Sequence, residues 1–191
     1  MKKLVFATNN INKLKEIKLA INNFEVIGLK DLYVDEEIPE TGNTLKANSL
    51  QKAKYIYDKT GLNCFADDTG LEIDALNKRP GVYSARYAGL QSSSEDNMKK
   101  VLDELGLQIN RKAKFRTVIA LIYNGKEYFF EGQVEGEILK DRKGEDGFGY
   151  DPIFKPKDFN LSFAEMTIQQ KNKISHRGIA VRKLINYLDK K

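Results

Sequence analysis

The sequence predicts an α/β fold: a mixed sheet flanked by helices, within one domain spanning residues 1–191. Three observations carry this expectation. Short apolar runs alternate with stretches of helical period through the first half of the chain. An Asn-Gly dipeptide between two β-rich runs marks an antiparallel hairpin in the middle, so the sheet cannot be all parallel. Hydrophobic residues make up 41% of 191 positions, with ten Phe and nine Tyr, enough to bury a core.

In chain order, Leu4-Val5-Phe6-Ala7 reads as a short buried strand, and Thr8 to Asn12 as a polar turn. Leu14, Ile17 and Ile21 fall on one helical face, so a helix follows, capped by Asn10 or Asn12. Phe24 to Leu29 reads as the second strand. The second helix should start near Asn43-Thr44, present Leu50, Ala53 and Tyr57 on one face, and end at Gly61. Leu62 to Asp67 is the next strand, running into Asp67-Asp68-Thr69-Gly70. Ser92-Ser93-Ser94 opens a helix whose apolar face is Met98, Val101, Leu102 and Leu105. Phe115 to Tyr123 and Glu127 to Val134 flank Asn124-Gly125, the hairpin turn. Ser162-Phe163-Ala164-Glu165 fits a capping box. The last helix should start near Ser175, with Val181, Leu184, Ile185 and Leu188 facing inward. Internal repeats, low-complexity segments and linkers are absent.

Lys and Arg number 32 against 27 Asp and Glu, a formal net charge of +5, which suits an anionic partner. The basic residues are spread along the chain with acids between them, and no RNP aromatic pair occurs, which argues against a nucleic-acid-binding module. Cys64 is the only cysteine, so an intramolecular disulfide is impossible and a cysteine-based zinc site is not expected. It sits in the apolar run Cys64-Phe65-Ala66 and reads as a buried thiol. No apolar stretch is long enough to cross a bilayer, and the run after Lys2-Lys3 is too short for a signal peptide, so a cytoplasmic location is expected.

Four polar clusters interrupt the apolar pattern at the ends of elements, where sites are usually built. Thr8-Asn9-Asn10-Ile11-Asn12-Lys13 is a strand-to-helix turn. It reads either as a triphosphate cradle, with backbone N–H groups and Lys13 aimed at an anion, or as an Asn-rich helix cap. It has no Walker pattern. The acidic set, Glu36, Glu37 and Glu40 followed later by Asp67-Asp68, offers the hard oxygen ligands that Mg²⁺ prefers. Two adjacent aspartates on a strand point in different directions, so at most one should reach a metal while the other orients a neighbour. In Gly144-Glu145-Asp146-Gly147-Phe148-Gly149-Tyr150-Asp151-Pro152 the glycines allow close backbone approach, and Phe148 offers a face to a nucleobase. The glycine spacing is not that of a dinucleotide fingerprint. Finally, Lys171, the sole histidine His176, and Arg177 stand at the mouth of the last helix, where the two cations suit phosphate or a base carbonyl.

Together and in this order, these segments resemble the inosine triphosphate pyrophosphatase family. The resemblance covers Val5-Phe6-Ala7-Thr8-Asn9-Asn10 with Lys13, Glu40-Thr41-Gly42-Asn43-Thr44, Ala66-Asp67-Asp68-Thr69-Gly70-Leu71, Pro80 to Gly89, Gly147-Phe148-Gly149-Tyr150-Asp151-Pro152, and Ser175-His176-Arg177-Gly178. It implies an elongated sheet in two lobes around a central cleft, a homodimer, Mg²⁺ as cofactor, and hydrolysis of dITP, ITP and XTP to the monophosphate and pyrophosphate. It implies Asp68 as proton acceptor and metal carboxylate, and Glu40 as the second metal carboxylate. Thr8, Asn9, Asn10, Ile11, Asn12, Lys13 and Lys171 would hold the phosphates. Thr69, Phe148, Gly149, Tyr150, Asp151, His176 and Arg177 would line the rest of the nucleotide pocket. The chain departs from the family pattern at Pro39, where relatives often carry a second Glu, which leaves Glu37 as a rival metal carboxylate. It departs again at Ala47, where a Glu is common. A pyrimidine-preferring Maf-type pyrophosphatase is the alternative within the enzyme class. Donors on Arg177 or His176 facing a 6-keto oxygen would reject adenine, whose amino group would leave them unpaired.

Overall fold

The computed structural model describes residues 2–34, 36 and 38–190. Its strands are β1 (Lys2–Phe6), β2 (Phe24–Ile27), β3 (Cys64–Ile73), β4 (Pro80–Gly81), β5 (Lys112–Tyr123), β6 (Lys126–Ile138) and β7 (Phe154–Pro156). The helices are α1 (Ile11–Ala20), α2 (Leu45–Thr60), α3 (Ser94–Leu105), α4 (Ile168–Ile174) and α5 (His176–Leu188). The hydrogen-bonded strand order is β2-β1-β3-β5-β6-β7, with β4 on β3. β1 runs parallel to β2 and β3, whereas β3/β4 and β6/β7 are antiparallel, so the sheet is mixed as expected.

The chain forms two compact units, each assembled from separate segments. Unit 1 comprises Met1–Asp68, Thr117–Gly132 and Arg177–Lys191; unit 2 comprises Thr69–Arg116 and Gln133–His176. The changes from one unit to the other at Asp68/Thr69, Arg116/Thr117 and Gly132/Gln133 fall inside β3, β5 and β6.

In unit 1, side-chain alternation along the strands builds two cores. Leu4, Phe6, Phe65, Ile119 and Leu121 pack with Ile17 of α1 and with Ala180, Val181, Leu184 and Leu188 of α5. Phe6 and Phe65 stack with centroids 4.5 Å apart. The intervening residues Val5, Ala7, Cys64, Ala66, Ala120 and Ile122 pack with Ala53 and Ile56 of α2. In unit 2 one core joins Leu71 and Ile73 of β3, Phe115 of β5, Ile138 of β6 and Phe154 of β7 with Met98, Val101 and Leu105 of α3.

Local signals act as their chemistry requires. Asn10 caps α1, Thr44 caps α2, and a capping box at Ser93 opens α3. Gly61 ends α2 at φ +67°, a left-handed conformation a side chain would disfavour. Asn124 and Gly125 both have positive φ, at 51° and 75°, the requirement of the tight hairpin turn. Cys64 is fully buried, and its thiol donates to the Ala53 carbonyl.

Two expectations are corrected. β3 does not end at Asp67 but continues through Asp68-Thr69-Gly70 to Ile73, because Leu71 and Ile73 resume the apolar alternation beyond the polar residues. A separate helix, α4, precedes the last one. It is capped by Thr167, whose side chain accepts from Gln170 N–H, and it ends at Ser175. Lys171 therefore sits inside α4, not at the mouth of α5.

Candidate active site

Unit 1 holds the acidic set and the first polar turn. The pleat of β3 decides what each aspartate meets. Phe65 faces α1 and α5, Ala66 faces α2, so Asp67 returns to the first side and Asp68 to the second. Asp67 Oδ1 accepts from Lys13 Nζ at 3.0 Å, and Oδ2 accepts from Arg177 Nε at 3.0 Å. Arg177 Nη1 also meets Glu16 Oε2 at 2.6 Å. Asp68 Oδ2 accepts from Asn48 Nδ2 at 3.1 Å, and Oδ1 lies 3.8 Å from Lys52 Nζ. The expected divergence of the two carboxylates is borne out.

Asn48 and Lys52 belong to the buried stripe of α2, formed by Leu45, Asn48, Ser49, Lys52, Ala53 and Ile56. Asn48 accepts the Gly42 N–H at 2.7 Å while donating to Asp68, so one amide ties the loop before α2 to β3. Lys52 donates to Glu40, which is half-buried. Glu40 and Asp68 therefore flank one ammonium group. Glu37, the rival carboxylate, lies outside the described residues.

The electrostatics of this group are strongly coupled. Burial raises the Asp68 carboxyl above its ordinary value, Glu40 adds to the rise, and Lys52 and Lys13 only partly oppose it. Burial would also raise Asp67, but Lys13, Arg177 and Lys52 outweigh it and hold that carboxyl well below the usual range. Burial lowers Lys13 despite Asp67, whereas Asp68 and Glu40 overcome burial and raise Lys52. The Glu40 and Asp68 oxygens are donors of the kind a hard divalent ion takes. No group of three or more His, Cys, Asp or Glu able to hold a metal occurs among the described residues.

At the turn, Thr8 Oγ1 accepts from Asn10 N–H, and Asn10 Oδ1 accepts from the N–H groups of Asn12 and Lys13 at 3.0 and 3.1 Å. The helix-cap reading is thus realised: two of the amides offered to an anion are already satisfied by Asn10. Asn9, Asn10, Ile11 and Asn12 are exposed, Thr8 is half-buried, and Lys13 is the turn's cation.

Unit 2 holds the glycine-rich loop. Asp151 Oδ2 accepts from Phe148 N–H at 2.8 Å and from Lys171 Nζ at 2.6 Å, with both charged groups buried. A Cβ at Gly147 would lie 2.3 Å from that same oxygen, so glycine is what lets the carboxylate close the loop. Lys171 Nζ stands 4.6 Å from the Phe148 ring centroid, a cation–π contact that fixes one face of the ring. The Tyr150 hydroxyl donates to the Ser84 carbonyl at 2.7 Å and is buried, which gives it a role in holding the loop. Thr69 is half-buried in β3, and Gly149 has φ +64°. His176 is buried and stacks on Phe115 with centroids 4.5 Å apart.

His176 and Arg177, neighbours in sequence, belong to different units. The Arg177 guanidinium is 2% exposed and pinned by two carboxylates, so its contacts position other side chains, and a base-reading role for it is carried by the resemblance alone.

Sequence reasoning missed Glu16 and Lys52. Both are charged residues on the inward side of a helix, and a charged side chain reads in the sequence as solvated. The available signal was spacing: Glu16 is three residues from Lys13, and Lys52 is four from Asn48, so each shares a face with a residue of the site.

The chain is similar over nearly its whole length to proteins of one family. A dITP/XTP pyrophosphatase of Flavobacterium johnsoniae is 51% identical over 187 residues, covering 97% of each chain. One from Porphyromonas gingivalis is 50% identical over 190 residues, 98% of each chain. Among solved structures, a HAM1 protein from Coxiella burnetii aligns over 100% of both chains with TM-score 0.90 and 38% identity. The Staphylococcus aureus Ham1 protein aligns over 98% of both with TM-score 0.88 and 39% identity. With a model described as the Ham1 family also matching residues 4–187, the chain belongs to the Ham1 family.

Proposed function

We propose that this protein hydrolyses non-standard purine nucleoside triphosphates, namely dITP, ITP, XTP and dXTP, to the monophosphate and pyrophosphate, clearing them from the nucleotide pool. Two similar proteins that share about half their residues with it over nearly the whole chain are dITP/XTP pyrophosphatases. The single observation that carries the chemistry is Asp68, a buried carboxylate held by Asn48 and facing Lys52, which also meets Glu40.

In this reading Asp68 accepts the proton of a water that attacks the α-phosphorus, and pyrophosphate leaves. An aspartate is ordinarily a weak base at neutral pH. Burial and Glu40 raise the Asp68 carboxyl, which strengthens it as a proton acceptor. Asn48 fixes the carboxylate's orientation, so the water meets a pre-set oxygen. Lys13 is the cation for the phosphates. Glu40 and Asp68 would hold Mg²⁺, which would supply charge neutralisation of the phosphate oxygens. Lys52 neutralises that pair of carboxylates within the protein itself. In unit 2, the Phe148 ring would stack on a purine, and Thr69, Gly149, Tyr150, Asp151 and His176 would line the pocket around it; Lys171, which the resemblance assigns to the phosphates, lies against the Phe148 ring and pairs with Asp151. These assignments, the Mg²⁺ requirement, a homodimer and a cytoplasmic location rest on the family resemblance. No helix among the described residues is long and apolar enough to cross a membrane.

The test is a panel of dITP, XTP, dGTP, dTTP and UTP, with and without Mg²⁺, detecting pyrophosphate directly. Metal-dependent pyrophosphate release from dITP and XTP is expected. Preference for dTTP or UTP would transfer the protein to pyrimidine chemistry, and orthophosphate as the first product would reject the proposal.

A further inference from the structure

We infer that Asp67 is a positioning residue that sets triphosphate affinity by holding Lys13 in place from the face of β3 opposite Asp68. The inference rests on the proposed phosphate-binding role of Lys13.

The Asp67 carboxylate has no exposed surface, so it cannot touch a nucleotide. Its two oxygens reach two elements. One oxygen meets Lys13 at the N-terminal turn of α1, and the other meets Arg177 in α5, both at 3.0 Å. Arg177 is locked in turn by Glu16, one helical turn beyond Lys13 on α1. The four groups form a closed circuit: α1 supplies a cation and an anion, α5 a cation, and β3 the carboxylate that joins them. Of the three partners, Lys13 alone reaches solvent, with 15% of its side chain exposed against 3% for Arg177 and 6% for Glu16.

A lysine side chain has four rotatable bonds and ordinarily loses much conformational freedom when it closes on a phosphate. Held by Asp67, and with Asp67 held by Arg177, Lys13 meets a ligand with its head group already placed, which lowers the ordering cost of binding. Stability alone does not account for the circuit. Buried ion pairs are about as stable as well-packed apolar replacements, or less so. A functional duty for the exposed member explains why charges occupy a position that Phe6, Phe65 and Ile17 otherwise fill with apolar surface.

Asp67→Asn keeps the shape and removes the charge. Wild-type protein is assayed first: if it releases no pyrophosphate from dITP, the functional proposal fails and this inference with it. With an active wild type, Asp67→Asn should raise KM for dITP and the inhibition constant of inorganic pyrophosphate about 10- to 100-fold, while kcat falls less than about fivefold. Lys13→Met should do the same. The double variant should be no worse than the poorer single variant, because both remove one interaction. Glu16→Gln, which leaves the Lys13 to Asp67 contact in place, should not weaken pyrophosphate inhibition. Unchanged constants for Asp67→Asn, or fully additive losses in the double variant, would overturn the inference. Should Asp67→Asn fail to fold by circular dichroism, Asp67→Glu, which moves the charge by one methylene, should show the same KM rise. A wild-type KM there, or collapse of both variants, would leave Asp67 a purely structural role and refute the proposal.

Discussion

The two units bury charge in different ways. Unit 1 buries Glu16, Lys52, Asp67, Asp68 and Arg177 and adds the nearly buried Lys13, linking acids and bases across four elements. Unit 2 buries one charged pair, Lys171 with Asp151, and surrounds it with the rings of Phe148 and Phe163. A lattice of alternating charges suits a polyanion and a metal, since each new charge meets an oriented partner. A buried ion pair beneath aromatic rings suits a flat, neutral heterocycle, where dispersion and stacking supply the affinity.

Substitutions can break this comparison, and the largest effect is expected at Asp68. Asp68→Asn preserves the Asn48 neighbourhood but removes the proton acceptor, and kcat should fall about 10²- to 10⁴-fold with the melting curve close to wild type. Near-normal turnover would remove Asp68 from the chemistry. Phe148→Leu, in unit 2, should instead act on affinity: KM for dITP should rise about 5- to 100-fold with kcat much less affected, as expected for loss of one stacking face. A kcat loss as deep as that of Asp68→Asn would erase the division between the units.

Lys171→Ala should cost about 3 kcal/mol of stability in urea unfolding, because Asp151 is left buried without its cation. A smaller loss would mean that water reaches the loop. Asp67 makes a pH prediction. Its folded carboxyl lies below its unfolded value of about 3.9, so its contribution is fully present above that pH and is lost as pH falls through it toward the folded value. Asp67→Asn should therefore be less stable at neutral pH and show a shallower loss of stability below about pH 4. An acid limb parallel to wild type would show that other carboxylates govern it. The smallest effect is expected at Cys64, whose thiol burial pushes up to about 12. Alkylating reagents at pH 8 should leave the folded protein unlabelled and modify it only on unfolding.

What was legible in the sequence followed from local chemistry. Asn10, Gly61, Asn124-Gly125 and the Ser162 capping box each satisfy backbone groups within a few residues, so a short window contains both partners. The motifs around Asp68, Phe148 and His176 were legible as a family pattern. What escaped depended on distant partners. The ion pair joining Glu16 to Arg177 spans 161 positions, and nothing near either residue signals the other. Lys52 occupies a buried stripe position that hydrophobic periodicity reserves for apolar side chains, and Asp68 on the strand opposite and Glu40 in the preceding loop explain the exception. α4 was overlooked because its seven residues carry too few apolar positions to set a period. β3 was cut short because two aspartates interrupted its apolar run, although the pleat tolerates them when each finds a partner.

The order of the segments in unit 1 has a consequence during synthesis. Its opening stretch, through Asp68, leaves Leu4, Phe6, Ile17 and Phe65 without the aliphatic surface of Ala180, Val181, Leu184 and Leu188. Those partners are translated more than a hundred residues later, after every segment of unit 2. A ribosome-bound nascent chain therefore presents a sticky, half-made sheet for most of its elongation, the window in which holdase chaperones would find it.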